Sequence, residues 1–131
     1  METLYRSANL MIILHPNKIY EFIYISTKKE AVNEYYQQLK VIIDALSETE
    51  GFSQIVDISV GIVPVTYAMK LGRDFAKMYP IHHQGRTVIL YKDYQLVSVL
   101  DAFLRLLDIP TYRMFTITKR EQALQWLNQA S

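Results

Sequence analysis

Asp57, Ser59, Thr66 and Tyr67 place a carboxylate and three hydroxyls in one short stretch, divided by Gly61-Ile-Val-Pro64. Gly and Pro interrupt regular structure, so the stretch reads as a strand end, a connector and the start of a helix. In parallel α/β sheets, strand-end loops before helix N-termini form the usual ligand edge, and the free N–H groups of a helix start favour anions. A tight connector shaped by Gly and Pro, without any ligand, accounts for the same residues. Beyond it, Lys70, Arg73 and Lys77 are spaced to share one helix face, and His82, His83 and Arg86 continue the basic stretch. Such a face could meet an acidic partner or anionic lipid head groups. Asp74 interrupts it, however, and the plainer account is the solvated back of an amphipathic helix.

No enzyme constellation accompanies these residues. Ser59 lacks the Gly-x-Ser-x-Gly turn of a strained nucleophile, and there is no Gly-rich phosphate loop and no His-Glu-x-x-His. His82 and His83 are adjacent, which suits loop residues better than ligands of one ion, and no carboxylate or third histidine stands at ligand spacing. No catalytic residue, metal or cofactor is therefore expected. The ten tyrosines are the unusual compositional feature. Tyr joins an apolar ring to a polar tip, which suits interfaces, pocket walls and half-buried core positions alike.

The 131 residues suffice for one domain (1–131) with a core that needs no disulfide or metal, and half of them are apolar. The chain has no cysteine, which removes thiolate chemistry and fits a reducing compartment. The apolar run Leu10 to Leu14 is too short to span a bilayer and lacks the flanks of a signal peptide. A cytoplasmic protein, not transmembrane, is the expectation. Residues 1–65 carry 5 Lys and Arg against 8 Asp and Glu, and residues 66–131 carry 9 against 5. That asymmetry, −3 against +4, is too mild for a nucleic-acid binder.

The elements that must position these groups follow from periodicity and turn chemistry. Met11 to His15 and Ile19 to Ile25 are β-prone runs joined by Pro16-Asn17-Lys18, a hairpin signal. Tyr20, Phe22 and Tyr24 share one face of the second run and Ile19, Ile23 and Ile25 the other, so both faces are apolar except at Glu21. Thr27-Lys-Lys-Glu30 has the form of a capping box and opens a helix with Val32, Tyr35, Tyr36, Leu39, Ile42, Ile43 and Leu46 on one stripe; Gly51 is its expected stop. Gln54 to Val60 reads as a strand and Val65 to Tyr79 as a helix carrying Ala68, Leu71, Phe75 and Met78 inward. Thr87 to Tyr91 is continuously apolar, as central strands are. Asp93 is a candidate cap for a helix with Leu96, Val97, Leu100, Phe103, Leu104 and Leu107, closed by Pro110. Tyr112 to Ile117 is the last strand, and Thr118-Lys-Arg-Glu121 repeats the capping-box pattern before Ala123, Leu124, Trp126 and Leu127.

This alternation predicts an α/β fold: a single layered domain in which an N-terminal β-hairpin precedes four β-α units, forming a mostly parallel, mixed sheet with right-handed crossovers. Gly85-Arg-Thr-Val-Ile-Leu-Tyr91 with its helix, and Phe115-Thr-Ile-Thr-Lys-Arg-Glu-Gln-Ala-Leu-Gln-Trp-Leu127, resemble the STAS superfamily, specifically its SpoIIAA-like branch of small bacterial proteins. The resemblance covers nearly the whole chain in architecture and is specific in sequence only in that tail. It implies four turns of a β-α superhelix and a regulatory role through protein contact. True antagonists of that family follow an Asp-Leu-Ser strand end with Asp-Ser-Ser-Gly, whose serine a partner kinase phosphorylates. Here Asp57-Ile-Ser59 resembles the first element, but Val65-Thr66-Tyr67-Ala68 occupies the second and the phospho-serine position falls on Tyr67. The resemblance therefore implies a family member without that phosphoswitch.

Two functional expectations follow. The favoured one is a non-catalytic binding or regulatory module that contacts an unknown protein partner through Asp57, Ser59, Gly61, Thr66, Tyr67, Lys70 and Arg73. The alternative is a carrier of a small apolar or lipid-like ligand among Tyr, Met and Phe side chains; an enclosed apolar cavity would favour it, a flat exposed apolar patch the former. Trp126 is expected to be buried against the sheet. Tyr35 and Tyr36 are about 100° apart on their helix, so one should lie at the edge of the buried stripe, where a second subunit of a homodimer could cover it.

Overall fold

The chain alternates strand and helix around a sheet in strict chain order: β1 (Glu2–Arg6), β2 (Leu10–His15), β3 (Ile19–Tyr24), β4 (Ser53–Asp57), β5 (Thr87–Tyr91) and β6 (Tyr112–Thr116). The computed structural model describes residues 1–46, 51–79, 85–92, 97–106 and 112–129. β1, β2 and β3 pair antiparallel, and β3 to β6 pair parallel. The expected hairpin forms as Pro16–Lys18 turns the chain, with Asn17 and Lys18 at φ 67° and 58°. Between the parallel strands run α1 (Lys29–Asp44), α2 (Val65–Met78) and α3 (Val97–Leu106), and α4 (Arg120–Asn128) follows β6. No helix among the described residues is long and apolar enough to cross a membrane.

The pleat sorts side chains between two apolar cores. Leu10, Ile12, Phe22, Val56 and Ile89 face α1, α2 and α3, whereas Ile19, Ile55, Val88, Leu90 and Phe115 face Ala123 and Leu127 of α4. Both faces of β5 are thus covered, which is why all five of its residues are buried despite having no alternation. The fourth helix does not extend the layer made by the other three. It crosses to the opposite face, where the Ile and Val side of the sheet would otherwise meet water.

Several local expectations are corrected. β1 escapes a reading by periodicity because four of its five residues are exposed and its pairing with β2 is irregular between Thr3 and Tyr5. It is held instead by polar contacts: Tyr5 Oη (2.6 Å), Ser7 Oγ and Asn9 Nδ2 (2.7 Å) all donate to the Glu34 carboxylate on α1. Burial raises the pKa of Glu34, but these three hydrogen bonds outweigh it and hold the carboxyl below its usual value. Neither capping box forms. Lys28 is the N-cap of α1, so Thr27 lies outside the helix, and a 3-10 turn over Ile117–Lys119 takes up Thr118, whose hydroxyl meets that of Thr116 at 2.9 Å. α1 ends at Asp44, ahead of Leu46 and well before Gly51. β4 ends at Asp57, leaving Val60 exposed in a turn, and Met78 is 67% exposed at the end of α2. Trp126 is half-buried: Ala123 and Leu127 are the residues that α4 buries. Asp93, Leu96, Leu107 and Pro110 lie outside the described residues, as does the Phe103 side chain.

Candidate functional site

Asp57 is buried at the end of β4, and its Oδ1 accepts from Ser59 N (2.9 Å) and Ser59 Oγ (2.6 Å). The pair therefore closes its own turn, the usual use of an Asp two residues before a Ser. Gly61 has φ 156°, and a Cβ there would lie 3.3 Å from Thr27 Cγ2, so this loop rests against the one that leads into α1. Val63 turns inward and is buried, whereas Val60 (43%) and Ile62 (57%) stay exposed. α2 starts without a side-chain cap, Thr66 is exposed, and the Tyr67 hydroxyl donates to Asn33 of α1 with Lys29 Nζ 5.1 Å from its ring centroid. Lys70, Arg73 and Lys77 are exposed on the outer side of α2 beside Asp74, and no ion pair joins them to another described residue. Of the expected site, then, Asp57 with Ser59 forms one local closure, Gly61 rests on the loop before α1, Tyr67 docks its helix on α1, and the cations stand apart on a solvated face. His82 and His83 lie outside the described residues.

Between the helix-side face of the sheet and α1, α2 and α3 lies a partly open cavity of about 170 Å³. Ala68, Gly72 and Ala76 line it from α2 at successive turns, and their small side chains leave unfilled space opposite the aromatic residues of α1. Val56 and Ile89 form part of its floor, and Phe52 and Gly85 border it at the start of β4 and β5. A Cβ on Gly85 would stand 1.9 Å from the Phe52 carbonyl oxygen, so only glycine permits this approach.

Tyrosines supply much of the wall. Tyr35 meets Phe22 edge-on at 5.0 Å and Tyr36 at 4.9 Å, and Tyr36 continues to Phe75 at 5.5 Å, which stacks on Tyr79 at 4.8 Å. Both Tyr35 and Tyr36 turn into the chain's own interior; the Tyr36 hydroxyl donates to the Ala68 carbonyl at 3.3 Å, tying α1 to α2. Tyr35 is buried and Tyr36 partly buried, so Tyr36 is the one that lies at the edge of the stripe. Burial pushes the phenols of Tyr24, Tyr35 and Tyr36 far above their usual value. The polar point of the cavity is Gln54, which accepts from Tyr35 Oη at 2.9 Å and directs Nε2 at Thr87 Oγ1 at 3.4 Å.

A second polar cluster lies on the α4 face. Glu21 is 1% exposed; His15 Nε2 is 2.7 Å from its Oε1, Arg120 Nε donates to Oε2 at 3.3 Å, and Arg120 Nη2 also pairs with Oε1. Glu21 was legible as the one polar residue of its strand, but its partners were not. For the cavity, the spacing Ala68-Gly72-Ala76 opposite a Tyr-rich helix was the available signal. No family model, no curated protein and no solved structure matches this chain.

Proposed function

We propose that this chain is a non-catalytic binding module of STAS-like architecture that holds a small apolar ligand between its sheet and its first three helices. The cavity is the observation that carries this reading. An apolar cavity of about 150 Å³ is known to stay dry and take up benzene, and this one is of that size, is walled by aromatic rings, and has no charged lining residue among the described residues. The sequential strand order, with α1, α2 and α3 on one face, supports the STAS-like architecture. The departure of Thr66 and Tyr67 from the family's serine supports the absence of a phosphoswitch, the more so as Tyr67 spends its hydroxyl on Asn33.

Toluene titrated into isotope-labelled protein tests the reading. Amide shifts are expected to cluster at Val56, Ala68, Ala76 and Ile89, with a rise in Tm, because a ligand that binds only the folded state stabilises it. Ala76→Leu, which fills the space from α2, should remove both effects. Scattered surface shifts with no change in Tm would overturn the proposal.

Contact with a protein partner through the loop from β4 to α2 is the second reading, favoured by the exposure of Val60 and Ile62. Ile62→Asp would then abolish complex formation in the source cells and leave toluene binding intact. Substantial phosphate on Thr66 or Tyr67 of protein purified from those cells would refute the absence of a switch.

A further inference from the structure

The chemistry of the cavity wall narrows the ligand, on the premise that the cavity is a ligand site. We infer that the ligand is a neutral molecule of about one aromatic ring, carrying a single oxygen acceptor that seats against Gln54 and Thr87.

The donor inventory leads there. Gln54 and Thr87 stand opposite one another in the register of β4 and β5, and Tyr35 reaches the same carboxamide from α1. Tyr35 donates its only proton to Gln54 Oε1, and Tyr36 donates its own to the Ala68 carbonyl. The Gln54 amide has two hydrogens, of which one is directed at Thr87 over a long 3.4 Å. That leaves the second amide hydrogen and the Thr87 hydroxyl hydrogen without an acceptor among the described residues, on neighbouring strands that both line the cavity. A carbonyl or hydroxyl oxygen placed between them takes up both, whereas a hydrocarbon takes up neither. A carboxylate is a poor occupant. It would give up its hydration where no cation lines the wall, and the same surroundings already keep three phenols protonated far above their usual range. Size agrees with this, since the volume matches one ring.

Three near-isosteric probes separate the possibilities: toluene, phenol and benzoate, titrated by calorimetry at neutral pH. Phenol should bind at least as tightly as toluene, and benzoate about a hundredfold more weakly than phenol or not at all. Gln54→Leu should weaken phenol about tenfold while leaving toluene within about threefold. Tyr35→Phe/Gln54→Leu, which leaves no orphaned phenol at Tyr35, serves as the second variant if the single one misfolds, with the same expected pattern. Toluene binding alone, or binding of phenol that is indifferent to both variants, would overturn the ligand class and leave the cavity reading standing. Benzoate as the tightest probe would also overturn the class. Binding of none of the three by the wild-type chain would remove the cavity reading itself, and this inference with it.

Discussion

Glu21 is a carboxylate in the middle of an apolar strand, and its position is tenable only because Arg120 and His15 reach it from other elements. A buried ion that loses its partner costs more than the pair contributes, because the desolvation penalty remains. Arg120 is 34% exposed and Glu21 1%, so the penalty falls almost wholly on the carboxylate. Arg120→Met should therefore lower stability by about 3 kcal/mol, at the low end for a broken buried pair. Glu21→Gln/Arg120→Met should recover much of that loss, since an amide has no charge to strand. Urea midpoints of the two variants decide it, and an unchanged midpoint for Arg120→Met would show that His15 alone suffices.

At the scale of elements, α4 is anchored by two residues of modest size, Ala123 and Leu127. Leu127 is 3% exposed against Val88 and Leu90, while Trp126 lies half-buried, 6.5 Å from Phe115, with Arg86 4.6 Å and Arg113 5.6 Å from its ring. The guanidinium of Arg86 also donates to the Trp126 carbonyl at 2.7 Å. Leu127→Ala removes fully buried methyl groups and should cost about 3 kcal/mol. Trp126→Ala loses only half-buried area and partly exposed cation–π contacts, about 1–2 kcal/mol. Thermal unfolding of both variants orders them, and a larger loss for Trp126→Ala would return the anchor to the indole ring.

For the whole molecule, the tyrosine-rich core sets a dependence on alkaline pH. Tyr24, Tyr35 and Tyr36 have folded-state values raised above the ordinary 10.0, chiefly by burial, with the neighbouring phenols adding to the effect at Tyr24 and Tyr35. For a raised group the contribution to stability is complete below the unfolded value and declines once pH passes it, because the unfolded chain then releases protons that the folded chain retains. The contribution of these phenols should thus be level below about pH 9 and fall above about pH 10, by up to about 1.4 kcal/mol per pH unit for each. Tyr35→Phe should make that decline shallower. Denaturation curves measured across this range test it, and a slope that Tyr35→Phe leaves unaltered would mean that the phenol ionises freely in the fold.

The chain by itself determined, β1 apart, which segments form which elements and, for most positions, which side is covered. Turn chemistry at Pro16-Asn17-Lys18, the two apolar faces of β3, the unbroken apolar run of β5 and the stripe on α1 are local properties, legible because the period of a strand or helix shows directly which side chains face inward. Helix starts were less legible: Thr27 and Thr118 have the right type and spacing, but the surrounding chain placed each helix a residue or more later. Only the tertiary structure decided that α4 crosses to the other face, that Arg120 meets a carboxylate 99 residues away, and that Ala68, Gly72 and Ala76 face Tyr35 and Tyr36 without filling the gap. A cavity is the small difference between the volume that several elements enclose and the volume their side chains occupy. No single segment contains that difference, so it exists only once all of them have packed.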